Sequence, residues 1–129
     1  MPMEVSLDPE RRRINVRLVG DFTLEEILDG IARAVSHPDF EPGFDILSDH
    51  TLIERAIETD ELTSVAERMR DLAPVLDGGR MAVVVSRPAS LGMMHMMRVV
   101  LEDVLDVRVF PSVSDAEVWL ARPRSTDDD

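Results

Sequence analysis

Few residues in this chain are of types that could do chemistry, and their spacing limits what that chemistry can be. Asp49, His50 and Thr51 stand side by side, offering an acid, a base and a hydroxyl. Neighbours on an extended chain point in alternate directions, however, and a catalytic triad is defined by three side chains that converge. The juxtaposition therefore reads as chance, and a small hydrolase built on Asp49 and His50 would require both to meet in one concave pocket. His37, His50 and His95 show no i, i+4 pairing and no His-Glu-x-x-His motif, so no metal site is expected. The absence of cysteine removes thiolate nucleophiles, disulfides and cysteine-ligated metal. All 14 basic residues are arginines, which removes Schiff-base lysines and the P-loop lysine. No Gly-x-Ser-x-Gly elbow and no Gly-x-Gly-x-x-Gly loop occurs. Neither a catalytic centre nor a cofactor is expected.

The binding candidates lie around one predicted helix. Ser86-Arg87-Pro88-Ala89-Ser90 joins the end of a predicted central strand to a helix start, the edge at which open α/β sheets usually place ligands. Backbone N–H groups there, with Arg87 and the hydroxyls of Ser86 and Ser90, could hold a carboxylate or phosphate. The ordinary alternative is a plain loop with Ser90 as N-cap. Met93, Met94, Met96 and Met97 then crowd two turns. Flexible thioethers suit an adaptable apolar pocket or a partner surface, and they also serve as core. The predicted buried stripe takes Met93, Met96, Met97, Val100, Leu101 and Val104, which turns Met94 outward as the better marker of an interface. Ser86, Arg87, Ser90, Leu91, Met94 and Met97 are thus the expected ligand-contacting set.

The elements that would position these residues follow from periodicity. Val5 and Leu7, then Ile14, Val16 and Leu18, alternate with polar residues around the turn Asp8-Pro9-Glu10-Arg11, predicting a hairpin buried on one face. Arg11, Arg12 and Arg13 at that turn read as solvated partners of local carboxylates. Thr23 with Glu26 forms a capping box ahead of Leu24, Ile27, Leu28, Ile31 and Val35, a helix that Pro38 stops. Phe44 to Leu47 reads as a short strand leaving at Ser48-Asp49. A second helix runs from about Thr59 to just before Gly78-Gly79. Met81 to Val85 is apolar throughout, as in a strand covered on both faces. A third helix begins at Ser90, a strand returns at Val107 to Phe110, and Ser114 with Glu117 caps a short closing helix. The order ββαβαβαβα predicts one α/β domain with a mixed, mostly parallel five-stranded sheet and four helices.

A length of 129 residues with 44% apolar content suits one core. The domain is expected over residues 1–122, with 123–129 an acidic, disordered tail ending in Asp127, Asp128 and Asp129. A net charge of −12 disfavours binding to nucleic acid or to anionic membrane surfaces. Neither a signal peptide nor an apolar run long enough to span a bilayer is legible, so a cytoplasmic location without membrane insertion is expected.

Several separated segments together resemble a known family. Gly20-Asp21-Phe22-Thr23-Leu24-Glu25-Glu26-Ile27, then His37-Pro38-Asp39-Phe40 leading to Phe44-Asp45-Ile46-Leu47-Ser48-Asp49, are similar to the bacterial STAS-like family related to sporulation anti-sigma-factor antagonists. Met81 to Val85, Leu91-Gly92-Met93 and Val109-Phe110 through Ala116 to Trp119-Leu120 agree in order. The resemblance implies a fold shared with the C-terminal lobe of CRAL-TRIO lipid-transfer proteins, and fold alone licenses no activity. It also implies a site at the start of the second helix, where the sporulation antagonists carry a phosphorylatable serine in an Asp-Ser-Ser-Gly type motif. Here the stretch reads Ile57-Glu58-Thr59-Asp60-Glu61-Leu62, and only Thr59 offers a hydroxyl. A phosphate there would meet the helix dipole but also three carboxylates, and an ordinary N-cap is the simpler reading of Thr59. The expected function is a non-enzymatic binding or regulatory domain recognising a protein partner or an apolar, lipid-like small molecule. The Thr59 switch is the first alternative, the Asp49–His50 enzyme is the second, and homodimerisation is left open.

Overall fold

The computed structural model describes residues 2–123. The elements in chain order are β1 (Met3–Asp8), β2 (Arg13–Gly20), α1 (Leu24–Ser36), β3 (Asp45–Ile53), α2 (Thr59–Asp71), α3 (Ala73–Leu76), β4 (Arg80–Val84), α4 (Pro88–Val100), β5 (Asp106–Phe110) and α5 (Val113–Leu120). The five strands lie in the order β1-β2-β3-β4-β5. The β1–β2 hairpin is antiparallel, and each later pair is parallel. In the hairpin Val5 faces Val16 and Leu7 faces Ile14, the register that the alternating pattern demands.

A sequential strand order with crossovers of one hand sends every crossover helix to the same face of the sheet. Residues from α1, α2 and α4 accordingly share one apolar core with β1 to β5, including Ile27, Leu62, Met69, Met97 and Val83. Among the described residues only α5, which follows the last strand, covers the other face, where Ala116 and Leu120 pack on Leu47, Ala82 and Val84. Adjacent residues of β4 are thus buried on opposite sides, as its unbroken apolar run predicts. Beyond the reach of α5, that second face stays polar, with Glu4, Ser6 and Arg17 exposed.

Two arginines tie α5 to the sheet. Arg80, buried at the start of β4, pairs with Asp45 at the start of β3 (2.6 Å). The same guanidinium donates to the carbonyls of Leu120 (2.9 Å), Trp119 (3.3 Å) and Arg122 (2.6 Å), closing the C-terminus of α5. Buried Arg13 pairs with Glu117 of α5.

The structure amends the sequence reading in several places. A fifth helix, α3, follows α2 at once, because Pro74 fits the first turn of a new helix but cannot continue the old one. β3 continues through Ser48, Asp49 and His50 to Ile53, its polar residues being strand residues and not an exit loop. α4 begins at Pro88, so Ser90 lies inside it and Arg87 precedes it. Ser112, not Ser114, caps α5 by accepting from the Asp115 N–H (3.1 Å). Of the hairpin arginines, Arg11 and Arg12 pair with Asp8 and Glu41 at the surface, whereas Arg13 is buried. The Thr23–Glu26 capping box forms as expected. The tail expected over 123–129 lies, apart from Pro123, outside the described residues. Among those described, no helix is long and apolar enough to cross a membrane.

Truncating Arg80 removes one partner of a buried ion pair together with the donors to α5. Arg80→Met is expected to destabilise the fold by about 3 kcal/mol or more. Trp119, the sole tryptophan, lies under that guanidinium (5.6 Å to the ring centroid). Chemical denaturation followed by its fluorescence is the measurement, and an unchanged midpoint would refute this role.

Candidate functional site: an apolar cavity with one polar pair

The pleat of β3 sends alternate residues to opposite faces of the sheet. Ile46, Ser48 and His50 face the helical layer, where they line a cavity of about 80 Å³ between the sheet and α1, α2 and α4. The rest of the lining is apolar and includes Ile14, Leu18, Ile27, Ala34 and Val65. Five of the chain's eight methionines, Met3, Met69, Met81, Met94 and Met97, belong to it. Gly30 on α1 helps to seat one of them, because a Cβ there would stand 2.4 Å from the Met3 sulfur.

Ser48 and His50 are the cavity's polar groups. The Ser48 hydroxyl lies 2.8 Å from His50 Nε2, and both residues are buried. His50 Nδ1 is enclosed with no hydrogen-bond partner among the described residues. Burial pushes the imidazole down to about 4, against a smaller opposing pull from the Asp49 carboxylate. The ring is therefore neutral at pH 7 and can present either a lone pair or an N–H at Nδ1, according to which way the Ser48 proton points.

The structure divides the six residues expected to contact a ligand. Met94 and Met97 line the cavity. Met94 does not turn outward: it is 1% exposed, whereas Met96 is 44% exposed and Val100 is exposed as well. The inner stripe of α4 is Ser90, Met94 and Met97, continuing to Leu101 and Val104 with Met93 packed against the core; of the predicted stripe Met96 and Val100 turn outward, and Met94 turns inward instead. Ser86, Arg87 and Leu91 stay at the surface. Arg87 Nε donates to the Ile53 carbonyl (3.2 Å), tying the β4–α4 loop to the end of β3. Ser90 points inward with its hydroxyl enclosed and, among the described residues, unpartnered, so it cannot join Arg87 around a surface anion. Thr59 is exposed as the first residue of α2, and the preceding Glu58 holds the cap position.

Asp49 lies on the opposite face from His50. Its carboxylate accepts from the Thr51 N–H (2.9 Å) and hydroxyl (2.7 Å). The two side chains do not converge, and the Asp49–His50 enzyme reading is set aside on that geometry. The residue missed at the sequence level is Ser48, and His50 is weighed there as a partner of Asp49, not of Ser48. Their signal was the i, i+2 spacing from Ile46, which places all three on one strand face once β3 is read to its full length.

Two outcomes follow. Met94→Ala is expected to cost about 2–5 kcal/mol and Met96→Ala within about 0.5 kcal/mol, a contrast readable by urea denaturation. Equal effects would restore the outward Met94. Because His50 binds fewer protons folded than unfolded, its contribution is complete above pH 6.5 and is lost as pH falls toward about 4. The loss is on the order of 3 kcal/mol. Glu61, whose carboxyl the Arg55 guanidinium holds below the ordinary 4.5, begins to lose its share only as pH falls to that ordinary value, at the acid end of this range. His50→Leu should therefore flatten the stability profile between pH 6.5 and 4, and a slope equal to that of the unmodified chain would contradict this.

No family model matches the chain, and no curated protein matches it. Among solved structures it is similar to an uncharacterized DUF3478-family protein with a SpoIIAA-like fold from Shewanella loihica PV-4. The two share 15% identity over 92% of each chain, with a TM-score of 0.60. At that identity the likeness concerns architecture, and it agrees with the strand order and layers described above: the chain has a SpoIIAA-like, STAS-like α/β fold.

Proposed function

We propose that this domain is a non-enzymatic binding module that takes an apolar small molecule into the cavity between the sheet and α1, α2 and α4. The observation that carries the reading is the lining itself, an apolar enclosure in which Met3, Met69, Met81, Met94 and Met97 supply much of the wall. Unbranched thioethers change rotamer at low cost, so these five can adapt to a guest while the β-branched residues of the lining, such as Ile27 and Val65, hold their places. At about 80 Å³ the cavity has roughly half the volume of an apolar cavity that admits benzene. In its resting shape it holds a short chain, and a longer guest requires the methionines to move.

A second reading, recognition of a protein partner, is favoured by the outer face of α4. Leu91, Met96 and Val99 there are 42%, 44% and 67% exposed, an apolar strip that a partner helix or a second copy could cover. The two readings use opposite sides of one helix and are compatible.

Native mass spectrometry of the protein purified from its own host is expected to show a small-molecule adduct that denaturation releases. Ala34→Leu, which fills the cavity from α1, should abolish that adduct while circular dichroism stays unchanged. Persistence of the adduct in Ala34→Leu would place the guest elsewhere. A bare chain carrying a stoichiometric protein companion, lost on Val99→Asp, would favour the second reading.

A further inference from the structure

The cavity is apolar except at one point, and that point is unsatisfied. Ser48 and His50 bond to each other, and His50 Nδ1 has no partner among the described residues. A buried imidazole nitrogen without a hydrogen bond is costly, and natural interiors rarely leave one so. If only packing were at stake, two apolar side chains of similar size would serve these positions better, since a partly satisfied buried polar group is worse than none. A water molecule on Nδ1 is a poor resolution. Buried waters usually make two to four hydrogen bonds, and the lining offers nothing polar beyond this pair.

We propose that the Ser48–His50 pair is the head-group anchor of the cavity, binding an uncharged apolar molecule whose single hydroxyl group bonds to His50 Nδ1. This rests on the cavity reading above and names the class of its ligand. The chemistry selects a hydroxyl because it both donates and accepts. When Ser48 donates to Nε2, Nδ1 carries the proton and needs an acceptor; when Ser48 accepts from Nε2–H, Nδ1 needs a donor. An alcohol satisfies either tautomer with the same atom, whereas a carboxylate satisfies one only. A carboxylate also brings a charge into an apolar enclosure against a neutral imidazole, the most costly arrangement open to it. The guest's carbon chain then lies along Met94 and Met97 on one side and Ala34 and Ile27 on the other, all four of which line the same cavity.

The test uses the whole chain with methionine methyls and histidine nitrogens isotopically labelled, titrated separately with 1-pentanol, n-pentane and pentanoate at pH 7. Methyl shifts of Met94 and Met97 report filling of the cavity, and the His50 Nδ1 shift reports hydrogen bonding at the anchor. Pentanol is expected to bind about tenfold more tightly than pentane and to move the Nδ1 resonance. Pentanoate should be the weakest of the three. In His50→Leu the advantage of pentanol over pentane should vanish while pentane still shifts the methyls. Equal affinities for pentanol and pentane with an unmoved Nδ1 resonance would overturn the anchor and leave the cavity reading standing. Tighter binding of pentanoate would overturn the preference for a neutral guest. No methyl shift with any probe would overturn both readings. Should His50→Leu fail to fold, the Nδ1 resonance and affinity order of the unmodified chain decide the matter alone.

Discussion

The buried pairing of Arg80 with Asp45 fixes more than its own corner of the molecule. Asp45 opens β3 and Arg80 opens β4, so their contact helps to set the register in which Ile46 faces Met81 and Ser48 faces Val83. Register decides which residues of β3 meet the helices. A slip of one position would carry Ser48 and His50 to the face of α5 and drive the Asp49 carboxylate into the apolar layer, a cost no parallel ladder could offset. The pair is also bound to α5 through the carbonyls that Arg80 holds. α5, on the second face, thereby becomes part of the lock that orients the first.

Within that frame the cavity combines two opposed tendencies. Apolar burial around β3 and β4 drives the layer closed, and the core there is dense enough that Ala82, Val83 and Val84 are fully enclosed. Among the side chains that line the cavity from α1, α2 and α4, the β-branched Ile27, Ile31, Val35 and Val65 are stiff, whereas Met69, Met94 and Met97 are flexible and Ala34 is small, so that part of the wall leaves room and can yield. Into this soft region β3 inserts a serine and a histidine. Their burial costs stability that an apolar pair would not, and a local conflict of that kind, shared in this core with the enclosed Ser90 hydroxyl, is where function is usually found.

The sequence carried the fold more fully than the site. Strands with strict alternation, such as Ile14-x-Val16-x-Leu18, and the Thr23–Glu26 box define their elements through local chemistry, and the structure keeps both. The orientation of α4 was not legible for a physical reason. From Met93 to Leu101 apolar residues occur nearly all round the helix, so hydropathy offers more than one stripe and cannot rank them. The choice falls to the tertiary setting: a start at Pro88 and a tie from Arg87 to Ile53, neither visible in periodicity. Ser90 added to the error, since a serine before an apolar run imitates an N-cap. In β3 the misreading was of the opposite kind. Ser48, Asp49 and His50 look like the end of a strand because polar residues usually leave the sheet, and here all three stay in it, Ser48 and His50 facing the cavity and Asp49 the opposite side.

A serine hydrogen-bonded to a histidine invites a catalytic reading as well, and the chemistry of this pair speaks against it. A general base at neutral pH works best with a pKa near that pH, whereas burial brings His50 down to about 4. The carboxylate that could raise it lies across the pleat, bonded to Thr51, so it acts on the ring only through space and cannot orient it by a hydrogen bond. A proton taken from Ser48 would leave an imidazolium in an apolar enclosure, the state that desolvation most opposes. What the same environment favours is a neutral ring exchanging hydrogen bonds with a neutral guest. The feature that weakens His50 as a base is thus the one that suits it to recognition.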